Sequence, residues 1–149
     1  LIDFIRNYPE FKVYGYGWNN ELGDSYAGAL ANYHQFEDLS EKTKFDVLYN
    51  SKYSLCIENC RKNNYFTEKF TDAILSWTIP IYWGCPNIGD YFPSDCFRVI
   101  NINHPNVNEH IINIINQPIT PREVQALDIA RNLILNEYHI MNMVRKILL

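Results

Sequence analysis

Apolar positions change their spacing from one segment of the chain to the next, and each spacing predicts an element. Leu1, Ile2 and Ile5 recur at near-helical intervals until Pro9 closes that segment. "FKVYGYG" then predicts a short strand over residues 11–14. It ends in Gly15 and Gly17, which permit tight turns and close backbone approach to a ligand. Residues 18–39 are polar and weakly periodic, a loop. From Glu41 onward Phe45, Leu48 and Tyr49 share one helical face. "YSLCI" is a continuous apolar run, which predicts a strand buried on both faces. Phe70, Ala73, Ile74 and Trp77 fall at i, i+3, i+4 and i+7, one face of a helix.

"IPIYWG" predicts a second buried strand, with Pro80 tolerated near its start and Gly84 ending it. "CFRVIN" predicts a shorter third. Helices follow over residues 108–116, stopped by "QPITP", and over residues 121–136, where Pro121 suits a first helical turn. A last helix over residues 138–149 has Ile140, Val144 and Ile147 to bury. Strands alternating with helices across short connections make the fold class α/β, a parallel sheet with right-handed crossovers and flanking helices. Ligands of such sheets sit outside the carboxyl ends of the strands. The loops "GYGWNN", "ENCRKNNY" and "WGCPNIGDY" would all open on that edge.

The 149 residues suffice for one domain with its own core, and 47% hydrophobic with 20% charged residues is ordinary for a globular protein. A net charge of -4 argues against nucleic acid as a partner. No segment approaches about 18 consecutive apolar residues, so no transmembrane segment is expected. The chain opens as though inside a helix already under way, which reads as a fragment of something longer. Cys56, Cys60, Cys85 and Cys96 form no CxxC pair, and buried free thiols are expected. The absence of an N-x-S/T sequon fits a reducing compartment. His34, His104, His110 and His139 share no spacing suited to a metal site or a triad, and no metal is expected. The frequent asparagines carry no functional weight at this level.

The second of the three loops carries the densest chemistry. Tyr65, Glu68 and Lys69 lie within about one and a half helical turns. A helix amino end offers N–H groups and positive partial charge to an anion. Lys69 works against that dipole unless an anion sits between them, whereas Glu68 suits it and can accept bonds from vicinal hydroxyls. A first-turn acid and a solvated lysine would read the same way. Glu58 and Asn59 end a buried strand, and a carboxylate there needs partners. Glu58 either pins the following loop through backbone N–H groups or faces a ligand.

"YSLCIENCRKNNYFTEKFTDAILSWTIPIYWGCPNIGDYFPSDCF" resembles the signature region of the α1,3-fucosyltransferases: an E-N pair after a strand, Y-x-T-E-K, a helix, then I-P-I-x-W-G and an aromatic-x-P segment. The wording of "SWTIPIYWG" is similar to bacterial members that modify lipopolysaccharide, and "VYGYG" resembles the first strand of the family's donor-binding half. The resemblance implies a Rossmann-like sheet, the C-terminal domain of a GT-B glycosyltransferase over residues 1–149, with the N-terminal acceptor domain absent from the chain. It implies a membrane-associated enzyme of protein or lipopolysaccharide glycosylation that transfers fucose, with inversion, from GDP-fucose to an N-acetylglucosamine or glucose hydroxyl of a glycan acceptor. GDP-fucose is then a substrate, with no cofactor and no metal. Carried over by position, Lys69 meets the diphosphate, Glu68 holds donor hydroxyls, Tyr65 lies beside the donor, and Glu58 and Asn59 line the same pocket. Cys60 stands where the family has Ser or Thr, and Asn64 where it has Asp or Gly. A phosphate-binding arginine is expected before the first strand, and only Arg6 lies near. The general base is expected in the missing domain, so this segment alone should not turn over. The implied location is cytoplasmic, peripheral at the inner membrane for a bacterial protein, or Golgi for a eukaryotic one. A non-catalytic nucleotide-sugar or carbohydrate-binding module, or a GT-B transferase using another GDP-sugar, would share these features.

Overall fold

The computed structural model describes residues 2–15, 21–30 and 42–148, apart from the side chains of Ile140 and Met143. They form two compact units, residues 1–47 and 48–149. In the first, α1 (Ile2–Arg6) buries Phe4, whose ring stacks on Tyr8 and meets Phe11 edge-on. The strand expected over residues 11–14 is reduced to a single parallel bridge, Val13 with Tyr26. Beyond it the amide of Gly15, at φ 127°, still donates to the Gly28 carbonyl at 3.0 Å, but no second bridge forms among the described residues. Buried Ser25, in a 3-10 turn (Gly23–Ser25), donates its hydroxyl to the carbonyl of Ile5 at 2.6 Å. A short α2 (Lys44–Tyr49) holds the division point between the units. It buries Leu48 but leaves Tyr49 61% exposed, against expectation. The loop glycine Gly17 and most of "GYGWNN" lie outside the described residues.

The second unit is the α/β fold. Strands β1 (Tyr53–Ile57), β2 (Ile79–Trp83) and β3 (Arg98–Val99) form a parallel sheet in the order β1-β2-β3. The two apolar runs look alike in sequence but differ in burial. β2 is central and buried from Ile79 to Tyr82, whereas β1 lies at the edge of the described sheet and buries only Cys56. A periodicity argument cannot see which run has neighbours on both sides.

Helix α3 (Glu68–Leu75) crosses from β1 to β2 and buries Phe70, Ala73 and Ile74. Trp77, expected on the same face, lies beyond the helix end at φ 61° and is 43% exposed. There the N–H of Thr78 bonds to the carbonyl of Ala73 and the N–H of Trp77 to that of Ile74, the two bonds of a Schellman ending. That site ordinarily takes glycine. Trp77 is offset by its ring, which lies 4.6 Å under the Arg131 guanidinium. Phe70 anchors the core, its ring 4.9 Å from Tyr82, 5.1 Å from Phe92 and 5.7 Å from Phe97.

Helices α4 (Val107–Ile115), α5 (Pro121–Asn136) and α6 (Ile140–Leu148) complete the chain. α5 starts at Pro121, and Thr120 and Glu123 form a reciprocal capping box. Glu123 also pairs with Arg98, tying α5 to β3. In α6, Val144 and Ile147 are 43% and 81% exposed rather than buried. Periodicity identified an amphipathic helix without identifying what covers it.

Candidate functional site

β1 delivers Glu58 to the carboxyl edge of the sheet, where it is 2% exposed. Its amide donates to the Trp83 carbonyl at 2.9 Å, continuing the parallel ladder one residue past the strands. Its carboxylate turns towards the start of α3. One oxygen accepts the Thr67 amide and the other the Thr67 hydroxyl, both at 2.8 Å. Thr67 is the N-cap of α3, in extended conformation, and its hydroxyl oxygen accepts from the Lys69 amide at 3.3 Å. A buried acid at one strand end therefore fixes the amino end of the next helix. The first of the two roles open to Glu58 in the sequence, pinning the following loop, is present in these bonds to Thr67.

Lys69 extends beside this node. Its ammonium lies 3.7 Å from Glu58 Oε2, an ion pair longer than a hydrogen bond, with the lysine side chain 34% exposed. The Glu58 oxygens already accept two close donors, so the ammonium has a carboxylate neighbour while still reaching solvent. Glu68 is exposed on the same first turn, Tyr65 is half-buried, and Asn59 is exposed at the strand end. Contacts at the β1–α3 junction thus join Glu58, Thr67 and Lys69, with Asn59, Tyr65 and Glu68 close to them along the chain. Arg6 donates to the carbonyl of Glu21 and pairs with Asp3 in the first unit.

Two departures from the family pattern acquire reasons. Asn64 has φ 62°, a left-handed conformation that glycine adopts most easily and asparagine tolerates among other residues. Its side chain is used as well: Asn64 Oδ1 accepts from Asn87 Nδ2 and the Tyr91 hydroxyl, each at 2.8 Å, and its amide donates to Asn87 Oδ1 at 2.9 Å. These bonds tie the loop after β1 to the loop after β2. Cys60 is exposed, unlike the three buried thiols, so the expectation of four buried thiols fails where the chain leaves the sheet. Burial pushes the Cys96 thiol up to about 12, and raises the Tyr82 hydroxyl above its ordinary range.

Beside the junction opens a cleft of about 930 Å³ that none of the five sequence-predicted residues lines. Trp83 and Gly84 after β2, Ile100 and Asn101 after β3, Arg61, and Glu109, His110 and Asn113 of α4 line it. Gly84 is the shared wall. A Cβ placed there would come within 2.4 Å of Glu58 Cγ and 2.6 Å of the Tyr82 hydroxyl. Sequence reasoning placed "WGCPNIGDY" on this edge but passed over the residues that line the cleft after β3 and on α4, where His104 and His110 carried no motif. The usable signal was their position after strand ends.

The profile of glycosyltransferase family 10 (fucosyltransferase), C-terminal, matches residues 2–117. The alpha-(1,3)-fucosyltransferase FucT of Helicobacter pylori is 45% identical over 56 residues, 38% of this chain and 12% of that protein. The GDP-fucose protein O-fucosyltransferase 3 of Rattus norvegicus is 33% identical over 90 residues, 55% of this chain and 19% of that protein. The chain therefore matches a minor part of the length of these relatives. A crystal structure of an alpha1,3-fucosyltransferase with GDP is 28% identical, covers 69% of this chain and 30% of its own, and has a TM-score of 0.47. With the family profile spanning most of its length, the chain belongs to the C-terminal region of the glycosyltransferase family 10 fucosyltransferases.

Proposed function

We propose that this chain is the donor-binding half of a GT-B fucosyltransferase and that the β1–α3 junction holds GDP-fucose. One observation carries the reading: a fully buried carboxylate, Glu58, is spent on fixing the amino end of a helix that also presents Lys69. A helix amino end is an anion seat, and an adjacent ammonium adds a full charge to its partial one. Lys69 is assigned to the diphosphate, exposed Glu68 to donor hydroxyls, and Tyr65 and Asn59 to the rim. Glu58 is a positioning residue that acts through Thr67 and Lys69. Lysine and helix supply the charge that other nucleotide sites draw from a divalent ion, so binding is metal-independent in this reading. The acceptor is a glycan hydroxyl. Inverting transfer requires a base to deprotonate it, and we assign that base to the acceptor-binding half of the parent enzyme.

Calorimetric titration with GDP, GDP-fucose and GDP-mannose in the presence of a chelator tests this. Binding of GDP and GDP-fucose is expected, with GDP-mannose weaker. Strict dependence on magnesium or manganese would overturn the metal-independent seat, and equal preference for GDP-mannose would overturn the fucose assignment.

A further inference from the structure

We infer that Asn64 and Asn87 are positioning residues for donor binding: they clasp the loop after β1 to the loop after β2 and so hold Tyr65 ready at the donor seat. The inference rests on the donor-site reading, in which Tyr65 stands beside GDP-fucose, and deepens it.

The clasp is built from both loops. Asn87 Oδ1 accepts the Asn64 amide at 2.9 Å, and Asn87 Nδ2 donates to Asn64 Oδ1 at 2.8 Å. The Tyr91 hydroxyl donates to the same Asn64 oxygen at 2.8 Å. Asn87 is itself held: its Nδ2 also donates to Asp90 Oδ2 at 2.9 Å, and its Oδ1 accepts from the buried Cys85 thiol at 3.1 Å. Both ends of one carboxamide are therefore in use, which a side chain with only a donor or only an acceptor could not match. The bonds keep Asn64 at φ 62°, a left-handed conformation uncommon outside glycine. Such outliers persist where the surroundings over-determine them, and they concentrate at functional sites. On the other side of Tyr65, the Phe66 ring packs 5.2 Å from Tyr91 and 5.4 Å from Phe92. One residue further, Thr67 is bonded to Glu58. Tyr65 is half-buried between these anchors, yet it makes no hydrogen bond and no aromatic ring contact among the described residues. The fold thus fastens both neighbours of a tyrosine whose hydroxyl it leaves unpartnered. Ordering that segment in advance removes its entropy cost from ligand binding. Lys69 is fixed separately, through Glu58 and Thr67, so the clasp acts on Tyr65 and not on the diphosphate seat.

The test is calorimetric titration of GDP-fucose into the 149-residue chain and its variants, each checked for folding by circular dichroism. Asn64→Gly suits the left-handed backbone but deletes the oxygen that Asn87 and Tyr91 bind, and Asn87→Ala opens the clasp from the other loop. If the freed loop keeps its competent arrangement for about a tenth to a third of the time, GDP-fucose affinity falls about 3- to 10-fold in either variant. Tyr65→Ala should weaken binding by itself. Adding Asn64→Gly to it should then cost less than about twofold, because the clasp has nothing left to position. Amide relaxation measured by NMR should show Tyr65 loosened in Asn64→Gly and Lys69 unchanged. A clasp that served stability alone would lower the urea midpoint and leave the affinity of the folded chain as it was, and that result overturns the inference. So does an equal loss with and without the Tyr65 side chain, or a Tyr65→Ala chain that binds as well as the parent. Each of these leaves the donor reading standing, since the parent still binds GDP-fucose. A folded parent chain that does not bind GDP-fucose sinks both.

Discussion

Gly84→Ala is the smallest change that reaches the proposed donor seat, and it does so without touching a residue assigned to a ligand. The backbone at Gly84 is not left-handed, so the substitution carries no dihedral penalty. Its cost is steric. The added methyl would lie 2.4 Å from Glu58 Cγ, 2.8 Å from Glu58 Cβ and 2.6 Å from the Tyr82 hydroxyl. Tyr82 is 1% exposed, its hydroxyl accepts from the Cys85 amide at 2.9 Å, and the ring is packed against Phe70, so it has little room to retreat. Glu58 must move, and its two bonds to Thr67 move with it. Overpacking a core costs about 1–3 kcal/mol, and a hydrogen bond to a charged group is worth about 1.5–3 kcal/mol. With partial relaxation the expected loss is about 2–4 kcal/mol, a fall in the urea midpoint of roughly 1–2 M. Urea unfolding followed by tryptophan fluorescence measures it. In a Glu58→Ala background the closest contact disappears, so the same substitution should cost at least about 1 kcal/mol less. A Gly84→Ala chain within about 0.5 kcal/mol of the parent would refute the close packing at this wall.

Glu58→Gln keeps the shape but removes the charge facing the Thr67 donors and Lys69, and should destabilise by about 1.5–3 kcal/mol in the same assay. A neutral outcome would mean the carboxylate is not anchoring α3. Thiol reactivity should separate sharply at pH 8: Cys60 modified promptly by a disulfide reagent, and Cys96, buried and held near 12, modified only on unfolding. Because folding raises the Cys96 and Tyr82 pKa values, their neutral forms stabilise the fold below about pH 9. That contribution is lost as pH rises from there through the folded value near 12. Stability should therefore fall on the alkaline side, and a flat profile from pH 8 to 11 would count against these burials.

Much of this architecture was legible because local signals agreed with tertiary packing. Pro121 announces the start of α5, and the structure adds there a capping box of Thr120 and Glu123 that was not read from the sequence. Tyr65, Glu68 and Lys69 were read as a cluster, and the helix that groups them begins where the sequence places it. What the sequence left open depended on neighbours far along the chain. "YSLCI" and "IPIYW" carry equivalent apolar runs, and only the strand order makes one central and the other an edge. Trp77 satisfies helical periodicity, but the chain has already left the helix through a left-handed turn at that residue. The choice for Glu58 needed the position of Thr67, nine residues on, relative to the end of β1. The cleft was legible in part: "WGCPNIGDY" was placed on the ligand edge and its Trp83 and Gly84 line the cleft, whereas Asn101, Asn106, His110 and Asn113 join them only on folding.

The central claim is that Lys69 and the amino end of α3 form a diphosphate seat. Calorimetric titration of GDP into the parent chain and into Lys69→Ala, without added divalent metal and with folding checked by circular dichroism, tests it most directly. Loss of a charge-assisted bond worth about 1.5–3 kcal/mol predicts a GDP affinity lower by roughly 10- to 150-fold in the variant. Equal GDP affinity in the two folded proteins would contradict it, and would return Lys69 to the role of a surface charge paired with Glu58.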